Sequence, residues 1–454
     1  MFPPSLADAI DTFTTALFMP WLVGILLLSG LFLTLRTGVV QVRRFGEAWR
    51  VAFVRRSTGT AGALTPFQAF MTSLGASIGT SNIAGVATAI VSGGPGALFW
   101  IWVYGFVAMA IKFAEATLGL TFREVRETRV LSGPMYYLRD GLKSPALAWT
   151  FAFVAAVAAL TTTPFTQPNS IALVVNSVFG IPKVVVGIVV AVLTWLVIIG
   201  GITSIGRVAE KLSPLKVGLY LAGGLIVIVL NAAKIPHVLA MVVREAFNMH
   251  SAVGFGLFMA VRYGVARGIY ANEAGYGTAA VAYGTAQSSQ PVQQGLNAIV
   301  EVFTVSFVTS TISAMTILLS PVWQEIERAR ALHHDPITSS AAVAASFSSA
   351  MPTVGGWIVA FCVFLFGYTT LIGWAYYGEQ FFEYILGRKV TLPYRWIYCL
   401  LIPFGAVTKV EVVWAWGDLM NALQVFPNLI GLLGLSGIVA TIARARFIGE
   451  PTKS

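Results

Sequence analysis

The sequence predicts an all-α polytopic membrane protein with about eleven transmembrane helices. Its 454 residues are 57% apolar and 11% charged, with a mean hydropathy of +0.78, whereas soluble domains carry about 25% charged residues. The apolar residues form runs long enough to cross a bilayer, for which a helix needs about 20 residues. Two of these runs are interrupted by glycines and small polar residues. The interruptions indicate a site inside the membrane.

Eleven apolar runs are the candidate spans. The first is interpreted as a retained span because no basic residues precede it, as they would in a signal peptide. The stretch 236–250 is predicted to be a helix lying at the membrane surface. The spans are 14–36, 66–91, 96–121, 146–165, 183–205, 214–233, 252–283, 292–320, 351–377, 395–411 and 418–442.

The Lys and Arg residues between the runs predict the orientation. With eleven spans, 20 of them fall on one side, 6 fall on the other, and three lie within spans. The more basic side faces the cytoplasm, so this cell-membrane protein is predicted to have its N-terminus outside and its C-terminus inside. Contact between these loops and anionic lipid explains the net charge of +10. No nucleic-acid partner is predicted.

The first interrupted run extends from Met71 to Gly94. Glycine is a poor helix former, and short polar side chains compete with the helix for the backbone. Backbone groups freed in a bilayer are tolerated only inside protein or along a cavity. The run therefore indicates either a site for an ion or small solute, or close helix packing through small residues. The residues concerned are Gly75, Ser77, Gly79, Thr80, Ser81, Asn82 and Gly85.

A second interrupted run, Phe258 to Gly284, carries Asn272, Glu273 and Thr278. Without the first span ten remain, and each interrupted run opens a group of five, so the first and sixth core helices are broken. The two groups have opposite predicted orientations, which indicates an inverted-repeat transporter with its site at the repeat interface. The chain then divides into an N-terminal helix with a basic loop, a first repeat, an interfacial helix, a second repeat and a cytoplasmic tail: 1–61, 62–235, 236–251, 252–444 and 445–454.

Short motifs along nearly the whole chain resemble those of a known family, the alanine/glycine:cation symporters (sodium:alanine symporters). The set in this order is highly specific. The motifs are GTSNIAGVATAI (79–90), GGPGALFWIW (93–102), KFAEA (112–116), SGPMYYL (132–138), RGIYANEAGYGTA (267–279), QPVQQGL (290–296) and GWAYYGEQ (373–380). The chain departs from the family pattern beside the expected pocket, at Ser81, Ala271, Tyr276, Ala280 and Tyr283.

The resemblance implies a leucine-transporter-like core of five plus five inverted helices with one added N-terminal helix. It also implies a secondary active symporter that imports small neutral amino acids, alanine or glycine, by alternating access. The implied coupling ion is sodium, or sometimes the proton. Proton-coupled import of another small amino acid is the alternative, and the sequence does not indicate the oligomeric state.

A zwitterionic amino acid needs donors for its carboxylate and acceptors for its ammonium. The half-helix beginning near Thr80 offers backbone N–H groups and a positive dipole end. The ammonium is expected at backbone carbonyls of the second interrupted run and at the amide oxygen of Asn272, and by resemblance Trp374 closes the pocket. The predicted substrate residues are Gly79, Thr80, Ser81, Asn82, Asn272 and Trp374.

Sodium binds oxygen ligands, mostly neutral when the substrate itself carries charge. Alignment of GASIGTSN (75–82) with the leucine-transporter pattern makes the carbonyls of Gly75 and Ile78 sodium ligands. The hydroxyls of Thr369 and Thr370 fall on the eighth core helix, where that fold places further ligands. Hydrogen bonding of these hydroxyls to their own helix is the alternative, and Asn82 is a candidate for a second ion site.

Charged residues within the spans have structural interpretations. Lys112 and Glu115 are one turn apart, which predicts a mutual ion pair, with proton coupling by Lys112 as the alternative. Glu273 is expected to accept backbone N–H bonds at the break, with pairing to Arg267 or a coupling proton as alternatives.

A membrane-embedded enzyme and a channel are the rival classes. All four histidines fall outside the predicted spans, and the chain has neither HExxH nor a Walker-type GxxxxGK[ST]. Neither an enzyme nor a nucleotide partner is therefore predicted. Channels usually assemble their pores from symmetric subunits, whereas this chain has an internal inverted repeat.

Overall fold

The structure, a computed structural model, describes residues 10, 12–14, 19–53, 61–126, 129–248 and 256–448. Within these ranges the chain is a bundle of α-helices with one small hairpin, in which β1 (Glu124–Arg126) pairs antiparallel with β2 (Arg129–Leu131). Parts of the predicted region 1–61, the start of the predicted second repeat and the end of the tail 445–454 lie outside the described residues.

The helices follow in chain order. The N-terminal region and the first predicted repeat contain α1 (Met19–Arg36), α2 (Val40–Arg43), α3 (Phe45–Ala52), α4 (Pro66–Ser77), α5 (Ala84–Gly93), α6 (Ala97–Thr121), α7 (Pro134–Tyr136), α8 (Pro145–Thr161), α9 (Thr163–Phe179), α10 (Lys183–Ile198) and α11 (Gly201–Leu230). Then come α12 (Ile235–Ala246), α13 (Leu257–Asn272), α14 (Thr278–Gly284), α15 (Pro291–Leu319), α16 (Pro321–Ala331), α17 (Ser339–Ala350), α18 (Gly355–Leu386), α19 (Thr391–Val407), α20 (Val410–Gly434) and α21 (Ser436–Ile448).

The predicted fold class, an all-α polytopic membrane protein, is confirmed. Six of the described helices are long and apolar enough to cross a membrane, or up to eight when each bent pair counts as one span, and α1 and α10 contain shorter apolar segments. The number of eleven spans stays a prediction. The helices differ in how deeply they are buried: 83% of the apolar 18-residue stretch of α18 is buried inside the bundle, against 33% of that of α11.

Several predicted span ends differ from the structure by more than five residues, and a proline lies near two of the differences. The fourth span does not end at 165, because α9 continues it to Phe179 after a break at Thr162. Pro164 lies in the first turn of α9, where its missing N–H costs no helical hydrogen bond. Likewise α11 begins at Gly201 and runs through Pro214, so it includes 206–213, which the sequence predicted to be a loop between two spans. Membrane helices tolerate such prolines because neighbouring groups satisfy the freed backbone.

The first broken helix consists of α4 and α5. A capping box between Thr65 and Gln68 fixes the start of α4. After α4 a single 3₁₀ turn, Thr80–Asn82, leads into α5 at an angle of 62°. The predicted interruption of this run is therefore present, and the free ends of two half-helices lie within the bundle.

The second broken helix consists of α13 and α14. Three residues between them, Glu273, Gly275 and Gly277, have positive φ angles of 55°, 96° and 81°. Such angles favour glycine, and a Cβ on Gly277 would lie 2.2 Å from Cγ of Pro134. Gly277 is therefore required both by its own backbone and by the close approach of α7.

The helix predicted at the membrane surface is present as α12. It turns Val238, Val242 and Ala246 toward the bundle and leaves its other face exposed, as an amphipathic helix does. Its position at the membrane surface stays a prediction.

Candidate substrate and cation site

A narrow cavity lies where the two broken helices meet. Three predicted substrate residues line it, namely Gly79, Ser81 and Trp374, together with the predicted sodium ligand Thr370. Glu273 is the one charged residue among its described lining residues. The structure thus brings residues from distant parts of the chain to one place between two helix breaks.

The first break presents polar backbone toward α9. The N–H of Thr80 donates to Oε1 of Gln167 at 3.1 Å, and the buried Thr80 Oγ1 has no hydrogen-bond partner among the described residues. Sequence reasoning missed Gln167 because it ended the span at 165. The polar residues of TTTPFTQPNS (161–170) in an otherwise apolar segment were the available signal.

Asn82 lies among neutral oxygens. Its Nδ2 donates to the carbonyl of Ser77 at 3.1 Å, and its Oδ1 accepts from the hydroxyl of Thr309 at 3.4 Å. Its own carbonyl accepts from the hydroxyl of Ser313 at 2.6 Å. Asn82 therefore joins the first break to α15 and does not line the cavity directly.

Asn272 occupies a different position from the one expected. Its amide donates to the carbonyl of Gly268 at 2.9 Å and to the hydroxyl of Ser306 at 2.7 Å, and its Oδ1 accepts from Ser306 at 3.0 Å. The amide oxygen expected to meet an ammonium is thus directed toward α15. The neighbouring Glu273 faces the cavity instead.

Two hydrogen bonds fix the Glu273 carboxylate. Oε1 accepts from Nε1 of Trp374 at 2.6 Å, and Oε2 accepts from the hydroxyl of Thr278 at 3.0 Å. The alternative pairing with Arg267 is not seen, because Arg267 lies 3.5 Å from Asp418. A carboxylate held by neutral donors keeps lone pairs for a further donor.

Glu115 performs the role that was expected of Glu273. Its Oε1 accepts from the backbone N–H of Gly275 at 2.9 Å, from that of Gly277 at 3.1 Å and from Nδ2 of Asn428 at 2.9 Å. It thereby satisfies backbone groups that the second break leaves without helical partners. The predicted pairing of Glu115 with Lys112 is wrong, because Lys112 instead contacts Glu301 at 2.6 Å.

The four predicted sodium ligands converge, and the ammonium of Lys216 lies among them. Nζ of Lys216 donates to the carbonyl of Gly75 at 2.9 Å, to that of Ile78 at 2.6 Å and to the hydroxyl of Thr369 at 2.5 Å. The side chain is fully buried. Sequence reasoning placed Lys216 near the end of a span, as one of the basic residues of a cytoplasmic loop.

The two threonines of α18 have different partners. Thr369 donates to its own helix, at 3.0 Å from the carbonyl of Leu365, which is the alternative that the sequence left open. Thr370 donates across to α4, at 2.8 Å from the carbonyl of Ala76. Thr370 therefore links the end of α4 to α18.

At one end of the bundle the chain segments flanking the breaks are joined. The residues before α4 and after α14 form a parallel bridge, Leu64 to Ala286, and the N–H of Gln287 donates to the carbonyl of Leu64 at 2.7 Å. The guanidinium of Arg123 donates to four backbone carbonyls of these segments, those of Ala61, Gly284, Ala286 and Ser288. These contacts hold the segments together at this end of the bundle.

A bundle with two interrupted helices around a central polar cavity is the arrangement typical of secondary membrane transporters. The chain belongs to the sodium:alanine symporter family, whose model matches residues 4–447. It is therefore an amino-acid symporter by family and not an enzyme.

Curated relatives are similar over nearly their whole length. The sodium/alanine symporter AgcS of Methanococcus maripaludis is 38% identical, with 97% of this chain and 96% of that protein covered. The probable sodium/glutamine symporter GlnT of Bacillus subtilis is 34% identical, with 92% and 86% covered. A putative sodium/proton-dependent alanine carrier of Bacillus subtilis, YrbD, is 31% identical, with 95% and 90% covered.

Solved structures share the fold. MhsT in complex with L-phenylalanine matches with a TM-score of 0.56 at 13% identity, over 86% of this chain and 99% of that one. A manganese transporter of Eremococcus coleocola matches with a TM-score of 0.53 at 14% identity, over 85% and 81%. The leucine-transporter-like fold implied by the family resemblance is confirmed.

Proposed function

We propose that this chain imports alanine or glycine together with a coupling cation, by alternating access across the cell membrane. The cavity between the breaks supports this proposal most strongly. It is narrow and walled by the rings of Tyr270, Tyr276 and Trp374, and it contains one carboxylate. Such walls leave room for a short side chain, and a single carboxylate suits a ligand that carries an ammonium.

The two ends of the substrate fit two ends of the cavity. The substrate carboxylate is placed against Gly79 and Ser81, at the positive N-terminal end of the half-helix α5, with Thr80 and Gln167 beside it. The ammonium is placed against the carboxylate of Glu273, where a charge-assisted hydrogen bond is stronger than one to a neutral amide. Asn272 then supports the site through Ser306.

Sodium is the first candidate for the coupling ion because of the family to which the chain belongs. The neutral oxygens beside Asn82, which are the Ser77 carbonyl, the Asn82 amide oxygen and the Thr309 hydroxyl, are of the kind that sodium prefers. The proton is the second candidate, and the buried Lys112–Glu301 pair is the observation in its favour.

The proposed orientation has the N-terminus outside and the C-terminus in the cytoplasm. The distribution of 20 basic residues on one side against 6 on the other supports it. In this orientation the end of the bundle where Arg123 joins the flanking segments faces the cytoplasm, and we expect inward release of substrate to require these contacts to separate. Substrate and cation shift the population between the closed and open forms because they bind the two forms with different affinities.

Uptake of labelled alanine and glycine into proteoliposomes tests the proposal, with a sodium gradient in one set and a proton gradient in another. Gly79→Ala should abolish uptake, because its Cβ would lie 2.8 Å from Oγ1 of Thr370. Gly218→Ala is the matched control, since nothing lies within 4 Å of a Cβ at Gly218. The proposed substrate would be contradicted if the proteoliposomes took up glutamine but neither alanine nor glycine under both gradients.

A further inference from the structure

The side chain of Lys216 crosses from α11 to the end of α4. Its ammonium has three N–H donors, and the structure provides three acceptors within 2.5–2.9 Å, the carbonyls of Gly75 and Ile78 and the hydroxyl of Thr369. The face of the Phe366 ring lies 5.2 Å away, which adds a cation–π contact. A fully buried ammonium with all donors satisfied is a fixed part of this site.

The acceptors are of the kind that a metal cation needs. The carbonyls at the end of α4 have lost their helical partners at the break, and the negative end of the helix dipole favours a positive charge there. The alignment of GASIGTSN (75–82) with the leucine-transporter pattern predicted sodium at the same carbonyls. Three of the four predicted ligands are hydrogen-bonded to Lys216, and Thr370 contacts the adjoining carbonyl of Ala76.

We propose that the Lys216 ammonium is the resident cation of this ligand set and excludes sodium from it. The inference rests on the proposed function, because it concerns which cation the transporter carries. A sodium ion at these oxygens would compete for the same lone pairs and lie within a few ångströms of a like charge, where repulsion is strong in a weakly polar interior. Coupling sodium therefore binds elsewhere, beside Asn82.

With Lys216 as its cation, this ligand set has a structural role during transport. A sodium ion leaves its site in every cycle, whereas a lysine side chain stays attached to α11. The Lys216 ammonium therefore holds the end of α4 against α11 and α18 without consuming an ion gradient. Sodium activation of transport should then reflect binding at other sites and not at the oxygens of Gly75, Ile78 and Thr369.

Sodium-dependent thermal stability of the purified protein tests the proposal without any substrate, so failure of alanine transport leaves the test intact. The melting temperature is measured against NaCl, with choline chloride at equal ionic strength as reference. In the wild type, Thr370→Val should change the midpoint sodium concentration by less than about twofold, because no ion is bound there to lose. Thr370→Ser, which keeps the hydroxyl, is the matched control.

Lys216→Ala frees the oxygens and should create a sodium-specific increase in melting temperature beyond that of the wild type. In that background, Thr370→Val should raise the midpoint sodium concentration about tenfold, the equivalent of about 1.4 kcal/mol. Lys216→Met, which fills the space without charge, should show no such gain.

Two results would overturn the proposal. One is a wild-type sodium response that Thr370→Val abolishes and Thr370→Ser retains, which needs no substitution of Lys216. The other is a folded Lys216→Ala variant with the same sodium response as the wild type.

Discussion

The ammonium of Lys112 lies 2.6 Å from the carboxylate of Glu301, and both side chains are fully buried. The same carboxylate accepts hydrogen bonds from the hydroxyls of Ser77, at 2.5 Å, and Tyr283, at 2.7 Å. Ser77 ends the first half of one broken helix and Tyr283 lies in the second half of the other. The ion pair therefore holds both broken helices against α6 and α15.

Removal of one partner should destabilise the protein strongly, because it leaves the other charge buried and unpaired. Lys112→Met or Glu301→Met alone is expected to cost about 3–5 kcal/mol, whereas replacing a whole buried pair by apolar residues is often nearly neutral. Thermal unfolding in detergent should therefore place the Lys112→Met/Glu301→Met double variant above both single variants. A double variant whose losses simply add would show that the two charges do not depend on each other.

Glu115 should prove essential for the shape of the second break. Glu115→Ala leaves the N–H groups of Gly275 and Gly277 without their acceptor, at about 1–3 kcal/mol for each unsatisfied group. Glu115→Gln keeps one oxygen in place and should lose much less. Melting temperature and alanine binding, measured for both variants, separate loss of the hydrogen-bond acceptor from loss of the charge. Equal losses in Glu115→Ala and Glu115→Gln would mean that the charge matters more than the hydrogen bonds.

The sequence was sufficient to locate both helix breaks, because glycines and short polar residues inside apolar runs have local effects on the backbone. It could not assign the partners of the buried charges. Lys112 and Glu115 are neighbours on one helix, but tertiary packing brings Glu301 to one and the break at Gly275 to the other. Such pairings depend on which helices lie side by side.

Lys216 and Gln167 both lie close to a predicted span end. Gln167 follows the predicted end of the fourth span at 165, and Lys216 lies just inside the predicted start of the sixth span at 214. In the structure α9 continues to Phe179 and α11 already begins at Gly201. Residues expected near loops are therefore buried beside the site.

Trp374 should contribute to substrate affinity through its N–H group as well as its ring. Trp374→Phe keeps an aromatic wall but removes the hydrogen bond to Glu273, so the carboxylate loses one of the two contacts that orient it. The KM for alanine is expected to rise about tenfold, the equivalent of about 1.4 kcal/mol. Trp357→Phe on the same helix is the matched control, since that ring is 60% exposed. An unchanged KM in Trp374→Phe would remove this role.

Arg123 should stabilise the end of the bundle where it joins the segments that flank the breaks. Each of its hydrogen bonds joins a guanidinium to a carbonyl, and bonds to charged groups contribute about 1.5–3 kcal/mol. Arg123→Gln is too short to reach all four carbonyls of the segments that flank the breaks. The parallel bridge between Leu64 and Ala286 then loses its main support.

Hydrogen–deuterium exchange measures this effect directly. In Arg123→Gln the amides of 61–64 and 284–288 should exchange about ten times faster, which corresponds to a loss of about 1.4 kcal/mol. Arg126→Gln is the matched control, because that side chain is 56% exposed and, among the described residues, its ion pair is with Glu124 in the same hairpin. Faster exchange in both variants would indicate loosening of the hairpin. An effect confined to Arg123→Gln would show that the Arg123 guanidinium stabilises the contact between these two segments, which must separate for release at this end.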